Sequence, residues 1–278
     1  MATERLITSA ANPLVKQTAR LREARARRRT GLLIAEGLRE VSRALEAGLS
    51  LRQVFVCPDR LDATGAREAV QRLLATLDKA VRVVHVSTSV LGKLAYRSEP
   101  EGVLAVAEQP TWSLQDLEKI QGQPLFLVAV GIEKPGNLGA MVRTASAAGC
   151  DAVLCAGGRV DAFNPNAIRS STAAVFGMPI VSADEELILG FLERHGIRLA
   201  VATPVGGTSH TQADLRGPLA IVIGREETGL DERWLAAAQK RGGVRVMIPM
   251  QGGLVDSLNA SASAAVLLFE ARRQRGQG

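Results

Sequence analysis

The chain has 278 residues, 46% of them hydrophobic, with a formal net charge of +6 and a pI near 9.7. This length suits two modest α/β domains or one large one, and the basic balance favours an anionic partner. Aromatic residues make up only 3%, too few for a surface on which nucleobases stack in succession.

The first distinctive stretch, KQTARLREARARRRTG at residues 16–31, sets seven basic residues against one acid. That excess is more than complementing a helix dipole needs. It predicts an arm contacting RNA or DNA, with Arg25, Arg27 and Arg28 gripping phosphates; a merely solvated helix face is the alternative. Residues 38–49 space their apolar side chains as a helix does, and LRQVFVC follows as a strand. A Pro-Asp turn, a helix near 66–77 and two further strands, VRVVHVS and GVLAVAE, complete a small α/β domain over residues 1–107. Residues 108–124 are polar and punctuated by Gln and Pro, and read as a linker. From 125 to 278 the pattern restarts. LFLVAVG, DAVLCAGG, IRLAVATP, LAIVIG and VRVMIPM read as strands, with helices between them and a last helix over residues 257–273. Buried strands alternating with helices predict a parallel α/β sheet.

Cys57, Cys150 and Cys155 form no C-x-x-C pair, which predicts reduced thiols in a cytoplasmic protein rather than a disulfide frame. His85, His195 and His210 are too scattered to suggest a metal site. No apolar run reaches membrane-spanning length, and the first residues lack the apolar core of a signal peptide. Being Arg-rich and acid-poor, they leave an organelle transit segment open.

Ligands of such sheets sit at the carboxyl ends of the strands. Three loops stand out there: IEKPGNLGAMVRTASAAG, REETGLDERW, and IPMQGGLVDSLNASAS. The last offers Asp256, Ser257, Asn259, Ser261 and Ser263 where a helix needs a single cap. Neither G-x-G-x-x-G nor G-x-x-x-x-G-K-[ST] occurs, so no Rossmann dinucleotide site or P-loop is written here.

N-L-G-A-x-x-R-T-A (137–145), I-G-R-E-x-x-G-L (223–230) and I-P-M…S-L-N-A-S (248–261) resemble, in order, the three motifs of the SpoU/TrmH family. Its members are RNA ribose 2′-O-methyltransferases of the SPOUT class. The resemblance covers the catalytic half, and more weakly the N-terminal half, where LLIAEGLREVSRALEAG and SEPEGVLAVAE resemble a small α/β sandwich that binds the substrate. It implies a C-terminal domain with a parallel sheet and a deep trefoil knot, here over about residues 200–273. It also implies S-adenosylmethionine as cofactor and a homodimer whose active sites are completed across the interface. The cofactor contacts carried over are Thr203, Gly224, Ile248 and Leu258; the glycine at 224 would also let backbone approach a ligand closely.

The same resemblance places Arg143 at the ribose hydroxyl, as a base or as a clamp on the neighbouring phosphate. A free guanidinium is a poor resting base, so the clamp is the more defensible role. Asn137 is expected to cap its helix and fix Arg143. Glu226 orients Arg143 or Asn259, Ser257 and Asn259 lie near the ribose, and Arg169 grips phosphate or is a surface charge. The chain departs from the family in having seven residues between Pro249 and Ser257 where six are usual, and Asn-Ala-Ser in place of Asn-Val-Ser. A separate N-terminal domain favours ribosomal RNA; the alternatives are transfer RNA and a non-enzymatic RNA-binding assembly protein on the same scaffold.

Overall fold

The computed structural model describes residues 6–61, 65–157, 160–252 and 256–276. The extra residue expected before Ser257 belongs to a loop whose residues 253–255 lie outside this description. The chain divides into two compact units, Met1–Pro110 with Phe163–Ile168, and Thr111–Ala162 with Arg169–Gly278.

The first unit runs α1 (Pro13–Arg20), α2 (Ala24–Thr30), β1 (Leu32–Glu36), α3 (Leu38–Glu46), β2 (Leu51–Val56), α4 (Ala66–Ala75), β3 (Arg82–His85), α5 (Thr88–Leu94) and β4 (Val103–Glu108). Its four strands lie in the order β1-β4-β2-β3, antiparallel except for the β2–β3 pair. β1 adds to the predicted elements. A run of four apolar residues ending in Glu36 carries no decisive periodicity, and its pairing with β4, Ile34 opposite Val106, is what makes it a strand. One face, with Ile34, Phe55, Leu104 and Val106, packs on Val15 of α1, Ala26 of α2 and Leu91 and Leu94 of α5.

The basic segment is thus two short helices rather than a free arm. Asn12 caps the first, accepting from the Leu14 N–H, and Pro13 occupies its first position, where a missing N–H costs nothing. Arg25 and Arg28 are exposed as expected, but Arg27 is not. It is 1% exposed and donates to the Leu21 carbonyl at 2.7 Å. Its charge ties the α1–α2 corner together, so it is no phosphate contact of the folded chain. Arg22 likewise donates to the carbonyl of Ala95, the cap of α5.

The second unit runs α6 (Leu114–Leu117), β5 (Leu125–Val130), α7 (Pro135–Ala148), β6 (Ala152–Ala156), α8 (Pro165–Ser170), β7 (Ile180–Ala183), α9 (Glu185–Arg194), β8 (Arg198–Ala202), β9 (Thr208–Ser209), β10 (Leu219–Ile223), α10 (Glu232–Lys240), β11 (Val244–Met247) and α11 (Ala260–Gln274). Residues 165–168 of α8 fall in the other unit. Within the stretch read as a linker, Ser113 and Asp116 form a capping box on α6, and Leu117 is buried in this unit's core. The sheet has seven strands in the order β7-β6-β5-β10-β8-β11-β9, every pair parallel. β5, β6 and β10 are buried along their whole length, as a sheet covered on both faces demands. One face carries α9 and α10, with Phe191 and Trp234 in the core; α11 packs on α7 and β10.

The run AAVLLFEA at residues 264–271 is too continuously apolar for a fully solvent-exposed helix. Ala264, Leu267, Leu268 and Ala271 are buried within the chain itself, while Ala262 and Phe269, the latter 48% exposed, face solvent. All three cysteines are free and buried, and burial pushes the Cys150 and Cys155 thiols up to about 12.

Arg27→Ala should destabilise the chain by about 2–3 kcal/mol in urea unfolding. It removes buried packing and strands the Leu21 carbonyl. Arg28→Ala should stay within about 0.5 kcal/mol of the parent.

Candidate active site

β8, β10 and β11 lie side by side and parallel, so their carboxyl ends open on one edge. The loops leaving them enclose a cavity of about 390 Å³, within the usual range for a small-molecule site. All four predicted cofactor residues, Thr203, Gly224, Ile248 and Leu258, line it, together with Glu226 and Ser257. Its walls are mostly aliphatic, with Leu230, Val246 and Leu267 among them. Two details add to the sequence reading. A Cβ on Gly224 would come within 2.4 Å of the Gly229 carbonyl carbon and 2.7 Å of the Leu230 nitrogen, so the bare α-carbon serves a close approach of the chain to itself. The turn is closed by reciprocal Arg225–Gly229 hydrogen bonds of 3.1 and 3.0 Å. The Thr203 hydroxyl, in turn, donates to the Val205 carbonyl at 2.7 Å and keeps only its acceptor side for a ligand.

A second cavity, about 150 Å³, shares Arg225 to Thr228 with the first and is closed by Gly131, Lys134 and Asn137. Between the two sits Glu226. One carboxylate oxygen accepts from Lys134 Nζ at 2.6 Å. The other accepts from Asn137 Nδ2 at 2.6 Å and Asn259 Nδ2 at 2.8 Å. The hydrogen bond from the Lys134 ammonium holds the Glu226 carboxyl below the usual carboxylate range against the opposing effect of burial, with a smaller contribution from the Asn137 amide. Lys134 is raised in return, by its hydrogen bond to Glu226.

The polar crowding before the last helix now divides by task. Asn259 is the single cap of α11: its Oδ1 accepts from the Ser261 N–H at 3.0 Å and the Ser261 hydroxyl at 2.6 Å, leaving Nδ2 for Glu226. The helix therefore begins at Ala260, three residues later than predicted, and Asp256, Ser257 and Ser263 face the larger cavity.

Asn137 stands two residues inside α7, whose N-cap is Lys134; it braces Glu226 instead of capping the helix. Arg143 is exposed on α7 and lines neither cavity. Six residues beyond Asn137, it is about 9 Å further along the helix axis, and among the described residues its guanidinium makes no hydrogen bond or ion pair. Glu226 thus orients Asn259, not Arg143. Arg169, at the end of α8, is exposed and outside both cavities.

Two site residues escaped the sequence reading. Lys134 has only its place before Pro135 to announce it. Arg225 lies across Gly131, where a Cβ would come within 2.4 Å of its Nε. Its guanidinium stands 3.6 Å from Glu185, which accepts from the Trp234 indole at 2.9 Å. Arg225 therefore forms a wall common to both cavities.

Residues 124–269 match the SpoU rRNA Methylase family, and residues 12–105 match the MRM3-like substrate binding domain. The chain belongs to the SpoU rRNA methylase family. A crystal structure of an RNA 2′-O ribose methyltransferase is 43% identical, covering 97% of this chain and 99% of that one, with a TM-score of 0.83. A 23S rRNA uridine 2′-O-methyltransferase of Streptomyces viridochromogenes is 31% identical over 98% of this chain and 95% of its own. An rRNA methyltransferase of Sinorhizobium meliloti, solved with AdoMet bound, is 28% identical over 97% of each chain, with a TM-score of 0.82.

Because the folded-state pKa of Glu226 is lowered, its contribution is complete above the unfolded carboxylate value of about 4.3 and is lost as pH falls through the lowered folded value. Glu226→Gln should therefore cost stability at neutral pH, with the difference from the parent shrinking in acid. Urea titrations at a series of pH values measure this.

Proposed function

We propose that the chain is an S-adenosylmethionine-dependent methyltransferase acting on a ribose 2′-hydroxyl of ribosomal RNA. The observation that carries this is the aliphatic cavity at the ends of β8, β10 and β11, flanked by the Glu226 network. The residues suit the cofactor. Ile223, Leu230, Ile248 and Leu258 offer apolar walls for a planar base, while Thr203, Ser257 and the loop backbone offer polar groups for its ribose and amino-acid ends. Bound there, S-adenosylmethionine supplies a methyl group on a cationic sulfonium.

The chain's own part is to hold geometry, since an in-line transfer gains most from orientation. Glu226 fixes the loops that bear Asn137 and Asn259, and the smaller cavity they border is the place for the ribose. Arg143, exposed and unpaired, is assigned to the substrate phosphate, where two parallel N–H groups stabilise charge developing on the hydroxyl. Its distance from the network of its own chain fits a homodimer in which Arg143 serves the partner's cavity, with Phe269 at the interface. The trefoil knot over about residues 200–273 belongs to the same proposal, as do phosphate contacts from Arg25, Arg28 and Arg169.

Labelled S-adenosylmethionine and unmodified 23S rRNA should yield label in a linkage resistant to alkali, because a methylated 2′-oxygen cannot attack the adjacent phosphate. Label in alkali-sensitive linkages, or none, contradicts the reading. Arg143→Ala should lower the single-turnover rate by at least ~10²-fold while S-adenosylhomocysteine still raises its melting temperature. Gly224→Ala should instead lose that thermal shift, and methyl transfer with it, since its Cβ collides with the Gly229–Leu230 backbone.

A further inference from the structure

The first unit holds a cavity of its own, about 380 Å³, between α1, α2 and the sheet. Leu14, Leu21, Leu32 and Val106 give it apolar walls, and Gln53 lies among them. Gln53 is paired in register with Val106 on the face that also carries Ile34 and Phe55. At that position the strand pattern calls for an apolar side chain. Gln53 Oε1 is buried and has no hydrogen-bond partner, although buried polar atoms are nearly always satisfied. Arg20 and Arg29 also line the cavity and are exposed; among the described residues neither makes an ion pair or hydrogen bond. The shape is maintained from below, for buried Arg27 pins the carbonyl of Leu21, a lining residue.

An orphan acceptor between aliphatic walls, with free guanidinium groups beside it, matches one nucleotide in chemistry. The walls take the faces of a base, the acceptor takes an N–H from its edge, and the cations take the flanking phosphates. We propose that this cavity captures a single unstacked nucleobase of the RNA substrate, separate from the nucleotide that is methylated, with Gln53 reading its N–H edge and Arg20 and Arg29 holding the adjoining backbone. The proposal rests on the RNA-modifying reading above and adds a recognition site within the substrate-binding unit. It also gives the basic helices a task more specific than general attraction. Base capture of this kind selects single-stranded loops and bulges over duplex.

The test compares the parent with Gln53→Leu, which removes the acceptor at similar volume, and Ala26→Leu, which fills the cavity from a buried wall position. The probe is an unmodified 23S rRNA transcript, and the readouts are filter-binding affinity and melting temperature. Gln53→Leu should melt no lower than the parent, since removing a buried unpaired acceptor is not destabilising, yet bind the RNA about tenfold more weakly, the scale of one lost base contact. Ala26→Leu should show the same loss of affinity. If both variants melt as the parent does and bind RNA as tightly, the cavity holds only water and the proposal fails. If the parent methylates the transcript while both variants bind like it, the enzymatic reading stands and the base site falls. If the parent binds without methylating and the variants bind weakly, the base site stands and the enzymatic reading falls.

Discussion

The Glu226 carboxylate joins three stretches of chain that are remote in sequence: Lys134 and Asn137 at the start of α7, its own turn after β10, and Asn259 at the start of α11. An exposed ion pair of this kind contributes little by itself. Its value is geometric. Three donors on two oxygens allow few arrangements, and each donor is fixed at its other end by a helix start. Asn259 spends one side of its amide on capping α11 and the other on Glu226, so the position of the helix and that of the site are set by one residue.

The sheet beneath explains why such economy suffices. Parallel strands deliver all their outgoing loops to one edge, and the fully buried β10, flanked by the fully buried β5 on one side and β8 on the other, holds those loops to a rigid base. What remains is to bring loops close together, which small residues achieve. Gly224 admits the Gly229–Leu230 backbone, and Gly131 admits the side chain of Arg225. The same compactness leaves a cavity with aliphatic walls bordered by Arg225 and by the carboxylates of Glu226, Glu227 and Asp256. Such a site suits a ligand that brings its own cationic centre.

Much of this was legible in the sequence because it is written in repeating patterns and in short motifs at strand ends. The buried parallel strands announce themselves as apolar runs. The loops bearing Gly224, Ile248 and Leu258 converge on one cavity as expected. Other features depended on partners distant in sequence. β1 is a strand because β4 lies beside it. Arg27 looks like its exposed neighbours until the α1–α2 corner closes over it. Charge counting cannot separate a guanidinium that pins a carbonyl from one that awaits a phosphate. Lys134 becomes visible only through Glu226, 92 residues away, and four apolar residues of α11 find cover within the chain, where the helix packs on α7. Gln53 reads as an ordinary polar strand residue until the burial of its oxygen is known.

The account stands on the claim that Glu226 makes Lys134 and Asn259 act as one unit, each holding a different oxygen of the same carboxylate. A double-mutant cycle on single-turnover methyl transfer, with Lys134→Ala, Asn259→Ala and both together, measures that coupling without touching Glu226. The predicted result is strong non-additivity, the double variant losing clearly less than the sum of the two single losses, because the first substitution already releases the carboxylate. Losses that add to within about 0.5 kcal/mol would mean that the two residues act independently, contradicting the shared carboxylate as the organising element of the site.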